Sequence, residues 1–257
     1  MSITDLITSK SSFGDSQKSV GFIQGTVVEN NNPEFKGMVK VQLTVFEEGQ
    51  DDMPWVRLLA PYGGKEYGNY IVPEIDDIVI VGFIAGNLDH PFLLGSLYPE
   101  EDAMVDESFD DKNYIKHFKT KGGMDVSIYD KDAEQSVTVT TPKGSVITME
   151  DKEETCLVSD KDGKNKLFFD YKNGELEILA DKKITVKTGS VEMVLDGEAD
   201  KYSLKADKIE TKGGTSIKTE AGSTLDMKGP TSKLEGNQVT VKGSAQTVIS
   251  GGIVKIN

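Results

Sequence analysis

The C-terminal part of the chain repeats glycine at nearly even intervals and contains few large apolar residues. Successive glycines are seven or eight residues apart, and the intervals hold only side chains such as Leu225 and Met227, Leu234, or Val239 and Val241. The glycines are Gly214, Gly222, Gly229, Gly236, Gly243 and Gly251. Apolar burial contributes about 25 cal/mol per Å², whereas ordering costs roughly 1 to 2 kcal/mol per residue. One copy of this segment therefore cannot form its own core.

Three copies wound around one axis would remove this difficulty. Each repeat then packs its inward side chain against two copies of itself, and the glycines supply turn conformations that other residues avoid. Strand edges are covered by neighbouring chains and cannot template aggregation. From about Tyr114 the chain consists of alternating segments of five to eight residues that end in glycine turns, and aromatic residues disappear toward the end. We predict an intertwined trimeric β-helix (β-prism) spike over residues 114–257 that narrows toward its C-terminus.

Residues 20–98 have a different pattern, with short β-branched and aromatic runs between turn clusters. Val39, Val41, Leu43 and Val45 alternate with polar residues, which predicts a strand with one buried face. Five or six strands in fewer than a hundred residues are typical of a small OB-fold barrel. The fold class is thus all-β, with an N-terminal OB barrel before the spike. The candidate strands are residues 20–29, 37–46, 54–61, 69–73, 77–86 and 90–98.

Two polar segments complete the predicted domain organisation. Residues 1–19 form a polar N-terminal extension without a secretory apolar core or a basic leader. We therefore expect synthesis in the cytoplasm without a signal peptide. Residues 99–113, PEEDAMVDESFDDKN, are dense in acidic residues and indicate a solvated linker.

Composition excludes several function classes. The chain has 29 Lys and Arg against 43 Asp and Glu, a formal net charge of −14, so nucleic acid is not an expected partner. Cys156 is the only cysteine, which rules out an intrachain disulfide and is expected to be a small buried side chain.

The barrel segment resembles the OB domain of phage baseplate assembly protein V and of VgrG-type spike proteins. The resemblance rests on GMVKVQL (37–43) and on residues 54–99, with a Gly-x-Val-x-Val strand, a Trp-x-Arg strand, a Pro-Glu turn and an Asp-x-Pro-x-x-x-Gly-Ser-x-Tyr ending. Residues 117–151 resemble the opening of the spike β-helix of that family. The motif residues are Gly37, Val39, Val41, Trp55, Arg57, Pro73, Glu74, Asp77, Asp89, Pro91, Gly95, Ser96 and Tyr98.

The resemblance implies a homotrimer that joins a contractile injection machine. VgrG proteins carry hub domains ahead of the barrel, so here the baseplate hub and the tail tube are expected to be separate proteins. The end of the chain resembles spike ends that are capped by a PAAR-repeat protein, and the expected tip-cap interface is Gly251, Gly252, Ile253, Val254, Lys255, Ile256 and Asn257. The family usually has Gly-Asp after the Pro-Glu turn, whereas this chain has Asp76 before Asp77. Some phage spikes end in an iron-binding His-x-His motif that this terminus lacks, so no tip metal is expected.

No catalytic constellation or cofactor motif stands out. A nucleophilic site would need His90 or His117, and neither is assigned a catalytic role. The segment SDKDGKNK (159–166) only partly matches a calcium loop, because Gly163 follows the second Asp directly, and an Asp-Gly hairpin turn explains it better. Trp55 lies in an apolar strand and is expected in the core. We predict no enzyme, no cofactor and no bound metal.

The leading hypothesis is a structural central spike of a phage tail, tailocin or type VI-like system. It would dock on the baseplate hub, form part of the tail particle, and pierce the target envelope on sheath contraction. The alternative is a trimeric receptor- or glycan-binding fibre, which predicts exposed aromatic clusters on the shaft. A third hypothesis, a monomeric polysaccharide-degrading β-helix enzyme, requires paired carboxylates in a groove.

Overall fold

A computed structural model describes residues 21–45 and 54–255. The chain divides into two compact units: one reaches to Val186 and includes Val194–Ser203, and the other contains Lys187–Met193 and the chain from Leu204 onward. Nearly all regular structure is β-sheet. In the described residues, no helix is long and apolar enough to cross a membrane.

Five strands close into a barrel in the order β1-β2-β3-β7-β6. Alternation along these strands places valines, leucines, Ile23 and Phe83 inside. Val39 and Val41 have no exposed surface and Leu43 is 1% exposed, which confirms the alternation predicted for this strand. The strands are β1 (Phe22–Glu29), β2 (Met38–Leu43), β3 (Trp55–Leu58), β6 (Ile78–Phe83) and β7 (Pro91–Ser96), and β4 (Gly63–Gly64) and β5 (Tyr67–Gly68) form a separate small hairpin.

Two sequence expectations for the barrel are wrong. Residues 69–73 form no strand; they are an extended connection between the β4–β5 hairpin and the turn before β6. Trp55 is not in the core, because Val56 takes the inward position of β3 and is fully buried. The Trp55 indole lies on the outer surface and stacks on Phe35, with ring centroids 4.4 Å apart and planes 9° from parallel. Thr44 and Val45 of the predicted second strand lie in a turn after β2, and residue 46 lies outside the described residues.

The acidic segment 99–113 contains a short helix, α1 (Ala103–Ser108), in addition to loops. Asp102 caps this helix, since its Oδ1 accepts a hydrogen bond from the Met104 N–H at 2.8 Å. The helix was not predicted, because six residues are too few to show a helical period.

Seven antiparallel strands follow in a meander, each paired with its neighbours in sequence, from β8 to β14. They are β8 (Ile115–Lys119), β9 (Asp125–Tyr129), β10 (Ser136–Thr140), β11 (Val146–Glu150), β12 (Thr155–Ser159), β13 (Lys166–Asp170) and β14 (Glu175–Leu179). A three-stranded sheet contains β15 (Lys183–Thr188), β16 (Val191–Asp196) and β17 (Lys201–Lys205) in that order.

The described residues from Ala206 to 255 contain no strand, and the side chains from 207 onward are exposed. A strand requires a hydrogen-bonded partner, and the glycine repeat finds none within its own chain. The meander and the C-terminal repeat therefore differ in kind: the first is a self-paired sheet, and the second has no partner in one copy.

Candidate assembly surface

The barrel motif residues shape a scaffold and do not gather into one pocket. Gly37 adopts φ +76° in the turn before β2, a conformation that glycine tolerates. Arg57 is exposed on β3, where it is paired in register with Met38 of β2 and Phe92 of β7. Asp89, Ser96 and Tyr98 are exposed around β7, and Pro91 and Gly95 lie within it half-buried.

The turn before β6 is closed by two hydrogen bonds and has an aspartate where the family usually has glycine. The Asp77 N–H donates to the Glu74 carbonyl at 3.1 Å, and the Glu74 N–H donates to Asp77 Oδ2 at 2.9 Å. Asp76 has φ +78°, which is the left-handed region that favours glycine. The Pro73 carbonyl accepts a 2.9 Å bond from the Asn30 side chain and fixes the start of the turn. Asp76 therefore holds a conformation that favours glycine, in a turn closed by hydrogen bonds between Glu74 and Asp77.

The seven-stranded sheet has one apolar face, which we call the apolar face. Side chains alternate along a strand and paired residues share a face, so the register assigns two columns of side chains to it. Thirteen of these fourteen positions are apolar, the exception being Lys116. The apolar residues are Phe118, Val126, Ile128, Val137, Val139, Ile147, Met149, Cys156, Val158, Leu167, Phe169, Leu176 and Ile178.

This face lacks a cover within one chain. Met149, Leu176 and Ile178 expose 51%, 56% and 57% of their surface. The hydrophobic core cluster of the described residues lies entirely in the barrel. The opposite face is mostly Ser, Thr, Lys, Asp and Glu. Of its six large apolar residues only Leu179 is exposed. Exposed apolar surface on this scale marks an interaction site.

Cys156 lies on the apolar face and is half-buried there, less covered than the sequence suggested. It is paired in register with Met149 and Phe169. Its thiol is therefore a native reporter of whether this face is covered.

The turn in segment 159–166 is stabilised by hydrogen bonds to the Asp160 carboxylate. Asp160 accepts hydrogen bonds from the Lys164 N–H at 2.9 Å and from the Asn165 side chain at 2.6 Å, and Gly163 has φ +69°. The hydrogen bond from Asn165 lowers the pKa of Asp160. This is a β12–β13 hairpin turn with both carboxylate oxygens engaged. Among the residues that the structure describes, no group of three or more His, Cys, Asp or Glu is arranged to hold a metal.

The two histidines have different surroundings. His90 is exposed in the loop before β7. His117 lies between Ser108 and Asp125: its Nδ1 is 2.9 Å from Ser108 Oγ and its Nε2 is 2.9 Å from Asp125 Oδ2. Sequence reasoning missed this cluster, because it forms only when α1 and the β8–β9 hairpin come together. Ser108 Oγ donates its hydrogen to the Met104 carbonyl at 2.6 Å, so the hydroxyl is engaged with the main chain.

Of the predicted tip-cap residues, 251–255 are exposed and form no strand, and Ile256 and Asn257 lie outside the described residues. Nothing in the structure of residues 251–255 assigns them a role in binding a tip protein.

Comparison with known proteins identifies the class of the barrel. Residues 23–98 match the family model described as "Type VI secretion system/phage-baseplate injector OB domain". The barrel thus matches the injector OB domain that its motif residues predicted.

Spike proteins of Pseudomonas aeruginosa are similar to part of this chain. Type VI secretion system spike protein VgrG5 is 40% identical over 68 residues, 25% of this chain and 9% of that protein. VgrG4b is 34% identical over 65 residues, covering 24% and 8%. VgrG1b is 25% identical over 114 residues, covering 42% and 15%. The chain is thus VgrG-like, and it spans less than a sixth of these relatives' own length.

Proposed function

We propose that this chain is the structural central spike of a contractile injection machine, such as a phage tail, a tailocin or a type VI-like system. Its role is mechanical and not enzymatic. Three copies assemble through the apolar face, with the polar face toward water, and their C-terminal repeats wind together. Support comes from an injector OB domain followed in the same chain by a sheet with one uncovered apolar face.

The trimer follows from the composition of the two sheet faces. An apolar face of thirteen side chains would be an aggregation hazard on a free monomer. A symmetric closed assembly covers it in every copy and leaves no open end for further growth. The interwoven C-terminal repeats also resist axial force, because a whole cross-section of hydrogen bonds must fail together.

Partners follow from the VgrG likeness. The barrel end would dock on a separate baseplate hub below the tail tube, and residues 251–257 would carry a PAAR-repeat tip protein. The assembled spike would be part of a tail particle and would meet the target envelope only when the sheath contracts. Nucleic acid, metal and cofactors have no part in this proposal.

Native mass and thiol reactivity test the proposal together. We expect a species of three times 28.0 kDa that persists in detergent, with Cys156 labelled much more slowly than in the denatured chain. A monomer of 28.0 kDa with a rapidly labelled Cys156 would refute the spike. A trimer whose Cys156 reacts as fast as in the denatured chain would show that the copies meet through another surface.

A further inference from the structure

The linker helix α1 is joined to the first two strands of the seven-stranded sheet, β8 and β9, through one histidine. His117 extends from β8, Ser108 ends α1, and Asp125 begins β9. Both ring nitrogens are in contact, each at 2.9 Å, one with Ser108 and one with Asp125. The imidazole is only 9% exposed. Three elements therefore meet at a single, largely buried ring.

The geometry resembles a Ser-His-Asp triad but does not serve nucleophilic catalysis. In such a triad the base accepts the serine proton. Here Ser108 Oγ donates to the Met104 carbonyl at 2.6 Å, within its own helix, and this fixes the hydroxyl at the helix end. The cluster therefore functions as a connection between elements.

A second contact crosses the same junction. Lys119 Nζ of β8 lies 2.6 Å from Glu107 Oε2 of α1, and this hydrogen bond raises the pKa of Lys119. These side chains are 36% and 51% exposed, and exposed ion pairs contribute little because water screens them. The buried contacts of His117 are consequently the stronger part of the junction.

We propose that His117 is a latch that fastens the linker, residues 99–113, to the β8–β9 hairpin. This hairpin begins the proposed shaft, the part of the chain from β8 onward. The idea rests on the proposed spike function. With the latch closed, axial load passes from the barrel into the sheet through a folded linker. With it open, the linker is a free tether that can be extended and cleaved. The latch depends on the bond between Ser108 and Nδ1.

Two substitutions separate the two sides of the ring. An asparagine amide lies close to the position of Nδ1, and a glutamine amide reaches close to the position of Nε2. His117→Asn can therefore keep the contact with Ser108, whereas His117→Gln can keep only the contact with Asp125. Ser108→Ala removes the same link from the helix side, and His90→Gln is the matched control at the exposed histidine.

Cleavage of the full-length protein by a glutamate-specific protease measures the opening of the linker, which contains Glu100, Glu101 and Glu107. We expect cleavage to be at least about tenfold faster in His117→Gln and Ser108→Ala, because a buried hydrogen bond is lost. His117→Asn and His90→Gln should stay within about twofold of the unchanged protein. Equal rates for His117→Gln and the unchanged protein would overturn the latch, and so would equal rates for the Asn and Gln variants.

Deuterium exchange at the imidazole C2 position, followed by mass spectrometry, tests the latch without any substitution. His117 should exchange at least about tenfold more slowly than His90, because its ring is buried and bonded on both sides. Similar rates for the two histidines would contradict the proposal. The native mass of each variant is measured alongside: an assembled protein with an unprotected linker rejects the latch alone, whereas an unchanged chain that is monomeric rejects the spike.

Discussion

Ile147→Asp should prevent assembly. Ile147 is on the apolar face, in β11, the middle strand of the seven-stranded sheet, and is 45% exposed in one chain. About 80 Å² of its surface is then left for a neighbouring copy to cover, which contributes about 2 kcal/mol per chain at 25 cal/mol per Å², or about 6 kcal/mol for three chains. Aspartate loses this gain. It also takes a carboxylate out of water at a cost of several kcal/mol in each chain.

The sum exceeds about 10 kcal/mol per trimer, which is comparable to the whole stability of a typical domain. We therefore expect a species near 28.0 kDa by native mass spectrometry at neutral pH, in place of one three times as heavy. The barrel should still fold, because all of its core residues come from one chain. Thr148→Asp is the matched control: it introduces the same side chain at the next residue of the same strand, on the opposite, polar face.

The reasoning is refuted if Ile147→Asp remains a trimer and its unfolding temperature stays within about 2 °C of the unchanged protein. Loss of assembly in Thr148→Asp to the same degree would also refute it, since either face would then be equally sensitive to charge.

Three further predictions test local features. Asp76→Gly should stabilise the barrel by about 0.5 to 1 kcal/mol in chemical denaturation, because glycine removes the left-handed strain at φ +78°; a loss of stability would contradict this. Gly25→Ala should destabilise the barrel by about 1 to 3 kcal/mol, since a Cβ there would lie 2.8 Å from a main-chain oxygen of β2, whereas at Gly95 a Cβ meets nothing within 4 Å and alanine should be tolerated. The hydrogen bond from Asn173 lowers the pKa of Asp170. The contribution of the Asp170 carboxylate to folding stability is therefore present above the ordinary pKa of 3.8 and is lost as pH falls through the lowered pKa. Asp170→Asn should therefore make shaft stability less sensitive to pH below about 4, measured by thermal unfolding against pH.

The alternation of apolar and polar residues predicted most of the strands. The wrong prediction for Trp55 has a local cause. At β3 the register had two solutions, with either Trp55 and Arg57 or Val56 and Leu58 pointing inward. The apolar composition of this strand led to the wrong prediction that Trp55 is in the core. Arg57 contains the missed signal, because an arginine two residues away shares the face of Trp55 and requires that face to be solvated. The structure accordingly places Val56 inside.

The candidate site was harder to predict from the sequence than the strands were, because it is formed by tertiary contacts. The sequence showed that the shaft segments alternate, but the apolar face became visible only when the pairing register aligned the segments column by column. Ser108, His117 and Asp125 lie eight to nine residues apart in sequence and come together through a helix end and a hairpin. No local pattern encodes that meeting, because the contact with Asp125 depends on the register of β8 and β9, and the contact with Ser108 depends on how α1 packs on β8.

The two parts of the proposed shaft should assemble in sequence, from the meander toward the C-terminus. Each strand of the meander pairs with its sequence neighbours through a short turn, so the register is set within one chain before copies meet. The described residues from Ala206 onward have no such internal pairing and must take their register from neighbouring chains. A chain that ends after Lys205 should therefore still form trimers by native mass, whereas the full-length Ile147→Asp protein should not. If the shortened chain is monomeric while the full-length protein is trimeric, the C-terminal repeat drives assembly and the order is reversed.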